Sequence, residues 1–170
     1  MIQKLIIALL ICVPVTTAYG RPIHSDEVKD AERYLEENQI EVPEEIEELC
    51  DFYGNKYDIA PELLEAVIWQ ESRFKVGAIN ADRTCVGLMQ INTDVHADRM
   101  SRLKVRNIFD PAGNIKVGTD LLGELLEDHD VEVALMLYNG DSKAYKAGYI
   151  SNYAESVLKV SEALERVHNK

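Results

Sequence analysis

The stretch 64-LEAVIWQESRF-74 decides how the rest of the chain is read. Leu64, Val67, Ile68 and Glu71 fall at spacings of three, four and seven. In a helix those positions share one face, so a carboxylate completes an apolar stripe. On one account Glu71 is a residue of the last turn, near the edge of the stripe, that points to water. On the other it is held among apolar neighbours. Desolvation then raises its proton affinity and keeps it protonated near neutral pH, ready to act as a general acid. That chemistry suits cleavage of an acetal, whose leaving oxygen must receive a proton.

Outward from this stretch the pattern stays helical. Residues 25–39 are rich in acid and carry a thin apolar stripe of Val28, Ala31 and Leu35, which reads as a marginal helix or a leader. Val42-Pro43-Glu44-Glu45 opens a helix with Pro in the first turn and acids at the positive dipole end. It carries Ile46, Leu49, Cys50 and Tyr53 and has a stop signal at Gly54-Asn55. The next helix starts near Pro61 and runs to about Phe74, before Val76-Gly77. Residues 75–86 read as a loop. Further helices are predicted from Asp110-Pro111 onward, over Val131–Tyr138, and over 149–167. No strand-like alternation is sustained. The expected class is all-α, a single helical domain.

Met1 to Gly20 reads as a signal peptide, with Lys4 in the n-region, an apolar run from Leu5 to Val15, and Ala18-Tyr19-Gly20 as a cleavage site. The run Leu5–Ala18 has 14 residues, against ~20 for a membrane span. The expected organisation is therefore a signal peptide over 1–20, an acidic leader over 21–40 and a catalytic domain over 41–170, with no membrane span after cleavage. The chain carries net charge −12, and losing the one Lys of residues 1–20 makes it −13. That balance argues against nucleic acid and anionic membranes as partners.

Cys50 and Cys85 survive cleavage. In an exported chain they permit a disulfide, but spacing does not show proximity, so a bridge and two thiols stay open. No metal and no cofactor are expected. His24, His96, His129 and His168 are scattered without an HExxH motif, and no glycine-rich phosphate loop occurs. The acids at 124–132 lack the EF-hand pattern.

Two more clusters carry chemistry. In 87-GLMQIN-92, Leu88, Met89 and Ile91 suit a tight turn packed into a core, while Gln90 and Asn92 are neutral groups suited to sugar amides and hydroxyls. In 136-MLYNG-140, Asn-Gly ends a helix, and Tyr138 is either a core aromatic or a hydrogen-bond donor beside a glycan.

Taken in order, Glu71-Ser72, Gly87-Leu88-Met89-Gln90-Ile91, Asn114-Ile115 with Gly118, Tyr138-Asn139-Gly140, then Tyr149 and Tyr153 resemble the catalytic domain of the soluble lytic transglycosylases. The resemblance covers roughly Glu41 to Leu164. It implies a mainly helical, lysozyme-like fold with a glycan-binding groove. It also implies cleavage of the β-1,4 bond between N-acetylmuramic acid and N-acetylglucosamine in peptidoglycan. Carried over by position, Glu71 would be the single acid/base and Ser72 would help fix its neighbourhood. Gln90, with the backbone of Gly87, Leu88 and Met89, would line the muramyl site, and Tyr138 and Asn139 would sit against Glu71 and the substrate N-acetyl group.

The sequence departs from the family at Asn92-Thr93-Asp94-Val95-His96, where a Pro-containing turn is common, and at Leu135-Met136-Leu137, where alanines are common. Cys85 stands two residues before Gly87, where a small residue is common, and a bridge there would brace the loop. The resemblance implies peptidoglycan glycan strands as the partner; a monomer is expected, and the signal peptide implies action in the periplasm, the cell wall or outside the cell. An envelope or secretion-apparatus protein is a further expected partner. Two competing readings are a hydrolase (lysozyme-type muramidase) using the same acid, and a non-catalytic glycan-binding or docking protein supported by the acidic leader.

Overall fold

A computed structural model describes residues 23–169; the segment 1–20, expected to be a signal peptide, lies outside them. Within the described residues the elements are α1 (Ser25–Glu37), α2 (Glu44–Tyr57), α3 (Pro61–Ser72), β1 (Cys85–Val86), β2 (Ile91–Asn92), α4 (Ala97–Arg102), α5 (Pro111–Asp128), α6 (Val131–Tyr138), α7 (Ser142–Ala147) and α8 (Asn152–His168). The architecture is mainly α.

Helix α3 contains the opening stretch and sits at the centre, with α2 and α8 packed along it. Leu63, Leu64, Ala66, Val67 and Ile68 are all buried. The spacing predicts one apolar face, but the structure buries every side of these turns. A helix that is apolar all round is a core helix. It starts at Pro61, whose fixed φ suits a first turn. It stops two residues before Phe74, because Arg73 (φ 53°) and Phe74 (φ 59°) both turn left-handed.

The stop expected at Gly54-Asn55 is not used. Helix α2 continues to Tyr57 and is capped by Asp58 in the left-handed conformation. Gly54 serves a different purpose: a Cβ there would meet the Ile59 carbonyl oxygen at 2.6 Å. Its bare backbone lets the α2–α3 connection fold back against the helix.

The acidic segment at the start is part of the packed structure. Helix α1 lies along α8 and buries Ala31 and Leu35, with Ile40 following. The Lys159 ammonium sits 4.4 Å from the Tyr34 ring centroid, which ties the two helices at their edge. A thin stripe suffices because α8 supplies the other wall.

The loop after α3 contains a hairpin. Cys85 pairs with Asn92 and Val86 with Ile91, antiparallel, and Ile79 bridges to Val86. Two-residue strands are too short to leave an alternation. Helices α4 and α7, six residues each, are likewise below the length at which periodicity speaks.

Of the three carboxyl groups on α3, one lies inside the core. Glu65 is fully buried, and neither side-chain oxygen has a hydrogen-bond partner among the described residues. Burial pushes its pKa up to about 7; His168 opposes this, while Glu62, Glu47 and Asp51 add to it. The groups around it come from three helices: Cys50, Glu47 and Asp51 from α2, Glu62 from α3, and His168 from α8. His168 Nδ1 lies 3.1 Å from Glu62 Oε1.

A carboxyl held up in this way favours the folded state while protonated. That contribution is whole below the unfolded value of 4.5 and is lost as pH rises through about 7. The displacement corresponds to about 3 kcal/mol. Urea unfolding between about pH 4.5 and pH 8 is therefore expected to show wild type losing stability relative to Glu65→Gln by that order. Parallel pH profiles for the two proteins would rule out the buried acid as the cause.

Candidate active site

Glu71 sits where α3 emerges from the core. Trp69, Gln70 and Glu71 are partly buried, while Ser72 is buried and donates from Oγ to the Ile68 carbonyl of its own helix at 3.1 Å. Glu71 is thus neither sealed like Glu65 nor free in water. Burial raises its pKa above the usual carboxylate range, and the hydrogen bond from Tyr153 works against that rise. Neither influence is a second carboxylate.

The Tyr153 hydroxyl donates to Glu71 Oε1 at 2.6 Å. That length is typical of a hydrogen bond to a carboxylate oxygen. It spans 82 residues of sequence and joins α3 to the first turn of α8. Nearby, Ser156 Oγ donates to Gln70 Oε1 at 3.0 Å, which fixes the same pair of helices. Helix α8 is capped by Ser151, whose side chain accepts from Ala154 N.

The turn 87–90 is clamped from two sides. Asn114 on α5, itself buried, accepts from Met89 N at 2.8 Å and donates to the Val86 carbonyl at 3.0 Å and the Ile108 carbonyl at 2.9 Å. The fit is close. Gly87 has φ +79°, and a Cβ there would lie 2.1 Å from Asn114 Nδ2. A Cβ on Gly118 would lie 2.3 Å from Met89 Sδ. From the other side, the Tyr138 hydroxyl on α6 donates to the Met89 carbonyl at 2.9 Å.

Tyr138 and Tyr153 belong to one electrostatic neighbourhood with Glu71. Burial raises the pKa of Tyr138 well above normal, and Glu71 and Cys85 add to the rise, while Arg99 opposes it. Burial likewise raises Tyr153, with Glu71 and Tyr138 adding. Both phenols therefore stay protonated donors at neutral pH.

The other residues singled out from sequence fall as follows. Leu88 and Met89 are buried, so their side chains belong to the core and only their backbone faces the turn. Gln90, at φ 47°, turns its amide back: Nε2 donates to the Gly87 carbonyl at 2.9 Å and the Ala78 carbonyl at 3.3 Å. Asn92 accepts from Asp94 N and Val95 N and shapes the loop after β2. Asn139 is exposed at the end of α6.

Cys50 and Cys85 are both free thiols. Cys50 lies buried against Glu65, and its pKa is raised by burial and by that carboxylate; Cys85 lies on the hairpin beside Thr84 and Tyr138. The bridge that the sequence left open is not formed. Among the described residues no group of three or more His, Cys, Asp or Glu is arranged to hold a metal.

Sequence reading did not single out Tyr153 as a partner of Glu71. It was visible as part of the motif order and of the apolar face of the last helix. Its alignment with Glu71 arises only when α8 packs on α3.

A family model described as "Transglycosylase SLT domain" matches residues 48–156. The chain belongs to that family. The match contains Glu71, the hairpin, Asn114, Tyr138 and Tyr153, and it leaves out α1 and most of the last helix. The mainly α architecture is the lysozyme-like fold of SLT domains. The invasion protein IagB of Salmonella typhimurium (strain SL1344) is 30% identical over 108 residues, covering 59% of this chain and 67% of that protein. The X polypeptide of Escherichia coli (strain K12) is 34% identical over 85 residues, covering 43% of this chain and 50% of that protein. This SLT-domain chain thus spans about two thirds of the first of these relatives and half of the second.

Proposed function

We propose that this SLT-domain protein is a peptidoglycan lytic transglycosylase with Glu71 as its single acid/base. The observation that carries the reading is the partly buried carboxyl of Glu71, raised in pKa by burial, with the Tyr153 hydroxyl 2.6 Å from Oε1. Many glycosidases divide the work between two carboxylates. The groups that tune Glu71 are burial and a phenol, which suits a mechanism in which one group first gives and then takes a proton.

Glu71 would protonate the oxygen joining muramyl C1 to the neighbouring N-acetylglucosamine. The C1–O bond breaks, and the 2-acetamido oxygen of the substrate stabilises the anomeric centre. Glu71, now a carboxylate, takes the proton from the muramyl C6 hydroxyl as O6 bonds to C1. The products are a 1,6-anhydromuramyl end and an N-acetylglucosamine 4-hydroxyl, with no water consumed. Tyr153 would hold the carboxyl at a fixed angle. Tyr138 would hold the Met89 backbone, and with it the turn that borders the muramyl sugar. Positioning of this kind lowers the barrier by keeping the reacting groups aligned. Action on peptidoglycan implies a site outside the cytoplasm.

Digestion of purified peptidoglycan followed by mass analysis tests the reading. Fragments ending in anhydromuramic acid are expected, lighter by one water than the products of hydrolysis. Fully hydrated reducing ends would make the protein a muramidase instead.

Tyr153→Phe gives a second test. The hydrogen bond lowers the Glu71 pKa, so its loss raises that pKa further. The alkaline limb of the pH–activity profile is expected to move to higher pH. The maximal rate is expected to fall by about tenfold, since the carboxyl loses its fixed orientation. An unmoved alkaline limb would separate Tyr153 from the chemistry of Glu71.

A further inference from the structure

The chain carries net charge −12, yet its cations are not evenly spread. Arg99, Arg102, Lys104 and Arg106 fall within eight residues that contain no acid. Two of them are neutralised. Arg99 pairs with Asp120 and Glu124 on α5, and Arg102 pairs with Asp120 at 2.7 Å. The other two are not: Lys104 and Arg106 are exposed, and the structure gives them no acidic partner among the described residues.

These two side chains border a cleft of about 390 Å³ between the loop after α4, α2 and the start of α5. Lys116 adds a third cation and Tyr53 a wall, and Asp110 is the one acid in the lining. The Asp110 carboxylate is engaged as the cap of α5, accepting from Gly113 N at 2.8 Å.

The cleft is built rather than incidental. Lys116 Nζ donates to the Leu103 carbonyl at 2.8 Å, which holds the loop against α5. Val105 N donates to the Met100 carbonyl at 2.9 Å, and Lys104 N donates to the Ser101 carbonyl at 3.1 Å. Two exposed aromatic residues stand next to lining residues in the chain. Phe52 is 60% exposed and packs edge-on to Tyr53 at 5.0 Å, and Phe109 is 41% exposed beside Asp110. None of these residues takes part in the hydrogen bonds around Glu71.

We propose that this cleft docks an acidic segment of a partner protein that also carries an apolar anchor. Unpaired cations around a preformed hollow select carboxylates and set the orientation of approach. The exposed phenyl rings of Phe52, which packs on Tyr53, and of Phe109, which precedes Asp110, would supply the desolvated contact that holds a partner once it arrives. A nucleic acid does not fit, because the surrounding negative charge opposes a polyanion that must neutralise many phosphates at once. A peptide needs only the local field, since charges beyond about 10 Å are screened at ordinary ionic strength.

The test uses the full mature chain and a fluorescent glutamate-rich peptide containing one leucine, read by anisotropy. Binding is expected at low salt, weakening as salt rises. Charge reversal in K104E/R106E is expected to weaken it by about tenfold or more, and F52A/F109A by about fivefold. The milder pair K104Q/R106Q gives the same direction without introducing repulsion. Because the cleft lies outside the Glu71 hydrogen-bond network, peptidoglycan cleavage is expected to stay unchanged in all three variants. No binding by wild type, or equal binding by the charge-reversed variant, would overturn the proposal. So would displacement of the probe by free peptidoglycan stem peptides, which would assign the cleft to substrate.

Discussion

Glu71→Gln is expected to lower fragment release from purified peptidoglycan by about a thousandfold or more, because the proposed mechanism uses this one group both as acid and as base. The substitution is nearly isosteric. The amide oxygen can still accept the Tyr153 hydroxyl at the position Oε1 now holds. What it cannot do is deliver a proton or take one back. The folded state is expected to be unharmed or slightly more stable, since the carboxyl is held in an environment that disfavours its charge. Circular dichroism melts of the variant should therefore overlay or exceed wild type while activity disappears. A variant that retains activity within about tenfold of wild type would remove Glu71 from the chemistry.

Asn114→Ala is expected to produce the largest loss of stability of any change at the candidate site. The side chain satisfies Met89 N, the Val86 carbonyl and the Ile108 carbonyl within a buried region. Each buried polar group left without a partner costs about 1–3 kcal/mol, so three of them cost at least about 3 kcal/mol. For a chain of this size that is a fall in melting temperature of roughly 10 °C.

Activity is expected to fall as well, beyond what unfolding explains, because the turn holding Met89 loses its anchor on α5 and Tyr138 loses a fixed acceptor. Asn114→Asp sharpens the test. It keeps the size and an acceptor for Met89 N, but it turns carboxylate oxygens toward two carbonyls. It should be no better than alanine. A melting temperature within about 2 °C of wild type for either variant would show that the clamp is not what holds the turn.

Two of the three carboxyl groups of α3, Glu71 and Glu65, show how far the sequence could be read. The spacing of Leu64, Val67, Ile68 and Glu71 made a helix with a carboxyl at its edge legible, and Glu71 is found partly buried with a raised pKa. The same helix holds Glu65, which the spacing did not flag and which is more deeply buried. Periodicity reports one face of a helix. It says nothing of how many neighbours will surround it. Once α2 and α8 both packed on α3, its other faces closed too.

The Gly54 position carries the same lesson. Read locally, a glycine followed by Asn is a helix stop. In the fold it is an opening for the Ile59 carbonyl, a requirement set by a neighbouring segment.

By itself the sequence determined the helical class, the segments of the longer helices, and membership of the SLT transglycosylase family through short motifs in a fixed order. These are local properties, written by spacing, caps and turn residues within a few positions of one another. Tertiary structure alone decided that Tyr153 meets Glu71, that Asn114 and Tyr138 hold Met89 by its N–H and its carbonyl, and that Cys50 and Cys85 are free thiols. Each depends on segments tens of residues apart being brought within hydrogen-bond range, or kept out of it. Burial of the shared core does that, and no single stretch of sequence encodes it.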